Sequence, residues 1–176
     1  IRSSAASDVY KRQLLSGITA GTNVYAVTVS DASVTAAALN TLNTATAGLV
    51  TVNSGTITGA YADLNTAFGD NNGTEITGLD DIAVTMSGSN SVANTNTIDG
   101  FTTGVVTTTV SDNDMTTLAG LSGTGNAYTI SVTDGSVDAA ALAVLNGKTT
   151  GVVSLTSTVI TGALSDVKAV YEANTA

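Results

Sequence analysis

Apolar and hydroxyl-bearing residues alternate in six short stretches of the chain. Val27 and Val29 alternate with Thr28 and Ser30, and Val50 and Val52 with Thr51 and Asn53. Val84/Met86, Val106/Thr108, Ile130/Val132 and Val153/Leu155 do the same against Thr85/Ser87, Thr107/Thr109, Ser131/Thr133 and Ser154/Thr156. A period of two predicts half-buried strands with one apolar and one hydroxyl face. Thr108 is the one polar residue on the inner side. After the strands the period changes. Ile57, Tyr61, Leu64 and Phe68 recur at helical spacing, as do Ile160, Leu164, Val167 and Tyr171, and each set predicts one apolar helix face. Asp31 or Ser33, and Asp134 or Ser136, stand where a helix N-cap belongs, ahead of Ala-rich runs ending in Leu42 and Leu145. Gly48, Gly104 and Gly151 close their units and supply a permissive backbone for the turn into the next strand.

These units repeat at two levels. Tyr25 to Gly48 aligns without gaps on Tyr128 to Gly151, and the same offset of 103 residues carries Leu49 to Asn72 onto Val152 to Thr175. More than 40% of the 48 aligned positions are identical, which marks a duplication. Within it, strand-like segments begin at Tyr25, Leu49, Ile82, Val105, Tyr128 and Val152, separated by 24, 33, 23, 23 and 24 residues. The long step is assigned to an insertion around Gly69 to Asp81, rich in loop-forming Gly, Asn and Asp.

The expected fold is an α/β solenoid. A single parallel sheet of short strands is backed by short helices, in about six rungs with a period near 23–24 residues. Ser, Asn and Thr crowd the helical half of the third and fourth rungs and disfavour helix interiors, so an all-β parallel solenoid is the structural alternative. Each rung carries few large side chains, so stability is expected from stacking neighbours, with apolar edges open at the ends.

Residues 1–13 stand apart. Ser3 to Gln13 can be reverse-translated, base for base, into a transposase adapter used in preparing DNA for sequencing, so residues 1–13 are read as adapter-derived and 14–176 as a solenoid fragment. Excluding them alters the charge. The whole chain has 14 acids against five bases and a net charge of -9; from Leu14 onward 13 acids face only Lys148 and Lys168, a net charge of -11. Such a surface repels phosphate backbones and anionic lipid, so nucleic acid is not an expected partner. The 43% hydrophobic content argues for a folded chain, and no apolar run is long enough to span a membrane. There is no Cys, His, Pro or Trp. Disulfide and thiolate-metal frameworks are thereby excluded, in keeping with a secreted bacterial protein that matures without oxidative folding.

The same absences remove thiol and His-assisted nucleophiles, leaving carboxylates as candidate acid-base groups. Asp80 with Asp81, and Asp112 with Asp114, are the pairs a carbohydrate-active β-helix enzyme would use, although both lie in stretches where Asp favours turns. Asp70, Asn71, Asn72 and Glu75 gather carboxylate and amide oxygens in the insertion, a ligand type suited to calcium, with Asp70, Asn72 and Glu75 the chosen ligands. The spacing is not that of an EF-hand. The strand hydroxyls would stack as two ladders resembling those of ice-binding solenoids, with Ser or Asn replacing Thr in most rungs. Gly147-Lys148-Thr149 lacks the upstream glycine of a phosphate loop and ends a helix, while LSGTGN from Leu121 to Asn126 precedes a strand; neither placement suits phosphate.

The succession of VTVSD, a short Ala-Leu helix ending in LNGKTTG, and a second strand leading into ITGALSDVKAVYEA resembles the repeat regions of giant bacterial cell-surface proteins of the adhesin-like, S-layer-like and hemolysin-type group. The resemblance covers nearly everything after Leu14 and supplies no catalytic motif. It implies a structural or adhesive segment, outside the cell or on its surface. Neighbouring repeats of the parent chain would be its first partners, with surface glycans or other cells as further ones. The expectation is a non-enzyme with no cofactor beyond calcium. A calcium-stabilised binding module, a carbohydrate-active β-helix enzyme and an ice-binding solenoid are the alternatives.

Overall fold

The computed structural model describes residues 24–173, so Ile1 to Gln13, which the sequence reading assigns to an adapter, lie outside the described residues. The first copy of the duplicated unit contains β1 (Val27–Val29), β2 (Ser33–Thr35), α1 (Ala36–Ala45), β3 (Val50–Val52), β4 (Thr56–Gly59) and α2 (Tyr61–Gly69). The middle contains β5 (Ile76–Thr77), β6 (Ala83–Asn90), α3 (Val92–Asp99), β7 (Val106–Val110) and α4 (Met115–Leu118). The second copy contains β8 (Ala127–Val132), β9 (Ser136–Asp138), α5 (Ala139–Asn146), β10 (Val153–Leu155), β11 (Val159–Thr161) and α6 (Leu164–Ala173).

The architecture is of α/β type, with short parallel strands, helices between successive turns of the chain, and no closed barrel among the described residues. Parallel pairing follows from connectivity, because a helix carries the chain back between successive paired strands. The strands form three sheets, β1-β3-β5, β10-β8-β7-β6-β4-β2 and β11-β9, where the sequence led us to expect one. A bend after β1, β3, β8 and β10 divides those turns into two strands, and the two follow different sheets. β8 bridges two neighbours: residues 127–129 pair with β7 and residues 130–132 with β10.

The third turn departs most from expectation. Ile76 and Thr77, placed in the presumed insertion, form β5 and pair with Val50 and Thr51. Val84 therefore lies beside Ile57 of β4, not beside Val50. The duplication is nevertheless reproduced pair for pair. Val27 opposite Val50 recurs as Ile130 opposite Val153, and Ser33 opposite Thr56 as Ser136 opposite Val159.

The core runs along the inner faces of the strands. Ile57, Val84 and Val106, neighbours in three successive strands, are buried, and Phe68 stacks on Phe101 with ring centroids 5.5 Å apart. The fourth residue of each of the first five helices is the buried anchor: Leu39, Leu64, Thr95, Leu118 and Leu142. One helical turn after the N-cap is where a residue first faces back onto the strands just left.

N-caps fall later than expected. Thr35 and Asp138, not Asp31/Ser33 or Asp134/Ser136, accept from the amides of Ala38 and Ala141, because β2 and β9 intervene before the helix starts. The polar α3 is a helix despite its composition. Ser91 caps the Asn94 amide at 3.2 Å, and Asp112 of the next turn accepts from the Val92 amide at 2.7 Å. Asn96 donates to Gly120 O and accepts from Ser122 N, both at 2.8 Å. The Asn96 amide, which would compete with a helix in isolation, is satisfied by the neighbouring turn.

Gly48, Gly104 and Gly151 are required for a different reason from the one expected. A Cβ there would stand 2.3, 2.2 and 2.3 Å from the carbonyl oxygens of Tyr25, Ile82 and Tyr128 in the preceding turn. Close approach excludes a side chain, since none of the three has a positive φ. Two residues earlier Thr46, Thr102 and Thr149 donate to those same carbonyls and accept from the glycine amides. The Thr-x-Gly corner thus locks one turn to the last.

Candidate functional site

The outward strand faces carry the most regular array of side chains. Thr35, Thr58, Thr85 and Thr107 are register partners in β2, β4, β6 and β7. Ser89, Thr109 and Thr129 form a second row, and Thr28, Thr51 and Thr77 a third in the three-stranded sheet. Strand spacing sets successive hydroxyls in a row about 4.8 Å apart. Thr85, Thr107, Thr109 and Thr129 are exposed, Thr58 is half-buried, and the Thr35 hydroxyl caps α1. The two unbroken ladders expected from the sequence do not form: Thr51 does not meet Thr85, because β5 occupies the place beside β3. The register that does form makes the four-strand row entirely threonine.

Beside the row, β6 bulges between Thr85 and Ser89, with Gly88 at φ +70°. Asn90, buried at the base, donates to Ser87 O and to the hydroxyl of Thr108 at 2.9 Å. Thr108, the polar exception on the inner side, is therefore half of a buried hydrogen-bonded pair.

The acidic loop is already cross-linked by its own side chains. The Asp70 carboxylate accepts from Asn43 Nδ2 at 3.0 Å, and Asn71 Nδ2 donates to Asp80 at 2.9 Å. Asn72 Oδ1 accepts from the amides of Thr74 and Glu75 and from the Thr74 hydroxyl, while its Nδ2 donates to Glu75 at 2.6 Å. Glu75 lines a shallow depression of about 250 Å³ with Asn43, Thr46 and Thr74, which neither Asp70 nor Asn72 joins. Among the described residues no three carboxylate, imidazole or thiol groups gather as for a metal ion.

The carboxylate pairs are divided between helix ends and turns. Asp112 caps α3 from the following turn, whereas Asp114 is the N-cap of its own helix α4, accepting from the Thr117 amide at 2.8 Å. That amide, with the Thr117 hydroxyl second, holds the Asp114 carboxyl below its ordinary value. Asp80 and Asp81 are exposed, and Asp80 accepts from Asn71. Gly147 is the C-cap of α5, and the Lys148 ammonium donates to Leu121 O. That lysine secures one turn to another at the end of its helix.

One polar cluster is not visible in the sequence pattern. Asn126, buried, accepts from the Val106 amide at 2.8 Å and donates to Asp99 at 2.6 Å and to the Tyr128 hydroxyl at 2.8 Å. Burial first, and the negative charge of Asp99 second, hold the Tyr128 phenol well above its ordinary value. Asp99 also accepts from Ser122 Oγ at 3.0 Å, and a Cβ on Gly123 would strike both Asp99 and Asn126. At Val106, the first residue of β7, the Asn126 side chain stands in for a backbone acceptor. Recurrence was the available signal: Asn126 and Tyr128 stand 103 positions after Asn23 and Tyr25.

Comparison with protein-family models, with curated proteins and with solved structures returns no match. Among the described residues no helix is long and apolar enough to cross a membrane.

Proposed function

We propose that the chain is a six-rung solenoid segment serving as a structural or adhesive repeat in a secreted, surface-displayed bacterial protein. The observation that carries the proposal is the use of side chains between turns. Thr-x-Gly corners, Asp112, Asp134, Asn96 and Lys148 each tie one turn of chain to another, and the strand pairings recur at an offset of 103 residues. A repeating stack needs such ties, because no single turn buries enough surface to be stable alone. Neighbouring repeats of the parent chain are its partners, and glycans or other cells would be met along the extended hydroxyl face. The resemblance to cell-surface repeat regions supports the location, and the carboxylates at helix ends and turns support a non-catalytic role.

An antibody against residues 24–173 should label intact source cells. Labelling that requires permeabilisation would sink the surface assignment. Small-angle scattering should show an elongated particle.

The all-threonine row favours one second reading, an ice-binding face, since Thr58, Thr85 and Thr107 present hydroxyl and methyl groups at strand spacing. Thermal hysteresis in the purified chain, lost in Thr85→Lys, is its test; a freezing point equal to the melting point disposes of it.

A further inference from the structure

Two Asn-Gly pairs occur in the chain, Asn72-Gly73 and Asn146-Gly147, and the fold treats them differently. Glycine has no side chain to shield its nitrogen, so an asparagine before it is where the backbone most readily attacks a side-chain amide. Both asparagines are exposed, so access does not separate them. Asn146 ends α5, and Gly147 continues its helical backbone at φ −68° and ψ −13°, with its N–H donating to Ala143 O at 3.0 Å. A helix points that N–H along its axis while the Asn146 side chain projects outward, so the two do not meet.

Asn72 lies in a turn, with Gly73 at φ +77°. Its side chain reaches forward over the backbone that follows it. Oδ1 accepts from the Thr74 amide at 2.9 Å, the Glu75 amide at 3.0 Å and the Thr74 hydroxyl at 2.7 Å, which sets Cγ over the intervening Gly73 nitrogen. Three donors on one carbonyl oxygen draw electrons from Cγ and stabilise the negative charge that the oxygen gains under attack. Nδ2, the atom that must leave, donates to the Glu75 carboxylate at 2.6 Å, so a proton carrier already touches the leaving group. The Gly73 N–H is bonded to Ile76 O at 3.0 Å, one contact in an exposed turn that opens before the nitrogen attacks.

We propose that Asn72 is a site of self-modification, converted by its own backbone to aspartate and isoaspartate, and that the conversion releases the loop. The Gly73 nitrogen bonds to Asn72 Cγ, and its proton passes to Nδ2 with Glu75 as carrier. The Cγ–Nδ2 bond then breaks, and ammonia departs from a five-membered imide. Water is the second reactant, giving its hydroxyl to one imide carbon and a proton to the nitrogen. Cleavage at Cγ yields aspartate, and cleavage at the main-chain carbonyl yields isoaspartate, with the chain now running through the former side chain; no oxidation or reduction is involved. In either product a carboxylate replaces the donor that faced Glu75, so like charges stand where a hydrogen bond stood. Isoaspartate also adds a methylene to the backbone between Asp70 and Gly73, two residues whose bonds to Ile76 hold the start of β5.

Incubation of the full chain at neutral pH, followed by peptide mapping in the mass spectrometer and enzymatic methylation of isoaspartate, tests this. Asn72 should convert at least about tenfold faster than Asn146 in the folded protein. In concentrated urea the two rates should become similar, because both pairs are then free chain. Glu75→Gln keeps an acceptor for Nδ2 but carries no proton, and should slow Asn72 by about tenfold while leaving Asn146 and the circular dichroism spectrum unchanged. Asn72→Asp, identical to one product, should speed hydrogen exchange at the Gly73 and Ile76 amides by about tenfold without affecting β8. Equal rates in the folded chain, or a preference for Asn72 that persists in urea, overturn the assignment to the turn's geometry. A Glu75→Gln chain that converts as fast as wild type overturns the proton carrier, and unchanged exchange in Asn72→Asp overturns the release of the loop.

Discussion

Thr95 occupies the anchor position that is Leu in α1, α2, α4 and α5, is fully buried, and has a hydroxyl without a hydrogen-bond partner. Its amide bonds normally to Ser91 O at 2.9 Å, so the helix itself is not at fault. Thr95→Val exchanges the hydroxyl for a methyl of nearly the same shape and retains the β-branch, so packing and helix propensity hardly change. Burying a hydroxyl without a partner costs about 1–3 kcal/mol, and the variant should recover about 1.5 kcal/mol of that. For a chain of this size the gain corresponds to a Tm higher by about 5 °C. Urea and thermal unfolding followed by far-ultraviolet circular dichroism measure it. Thr97→Val is the control, because the Thr97 hydroxyl already donates to Ala93 O at 2.9 Å, and a change within about 0.5 kcal/mol is expected there. A Thr95→Val protein no more stable than Thr97→Val would refute the reasoning, since the buried hydroxyl would then cost nothing.

Ala60 stands at the N-cap of α2 with no side-chain hydrogen bond, where Thr35, Ser91, Asp114 and Asp138 cap their helices, so Ala60→Asp should stabilise by about 1 kcal/mol in urea titrations. Gly104→Ala should destabilise by about 2–4 kcal/mol because its Cβ would lie 2.2 Å from Ile82 O, whereas Gly135→Ala meets nothing within 4 Å and should leave the unfolding midpoint nearly unchanged. Asp114 has a depressed folded-state pKa, so its contribution is present above its unfolded value and disappears as pH falls through the folded one. Wild type should therefore exceed Asp114→Asn in stability at pH 7, and the gap should close on acidification below about pH 4; a gap independent of pH would remove the carboxylate from the account.

Sequence by itself determined the strand-forming alternation, the apolar face of α2 from Tyr61 to Phe68 and the 103-residue duplication, because these depend on local side-chain spacing and on the pairing of like with like; Ile57 and Ile160, expected to open the two helix faces, stand instead in β4 and β11, since a short strand precedes each helix. That Val27, Val50, Ile130 and Val153 share the inner face followed from alternation; that they pair as Val27 with Val50 and Ile130 with Val153 is register, which the structure supplies. The candidate hydroxyl face was legible too, although not its register. Only the tertiary structure decided that Ile76 takes the place beside Val50, which shifts Thr85 from Thr51 to Thr58 and splits the strands into three sheets. A two-residue strand in a Gly- and Asn-rich stretch has too little pattern to announce itself, and it forms because the open edge of β3 offers hydrogen bonds. The polar helix α3 and the Asn126 cluster lay beyond the sequence for a related reason. Their hydrogen bonds join residues about 20 to 27 positions apart, and those residues meet only once the turns have stacked.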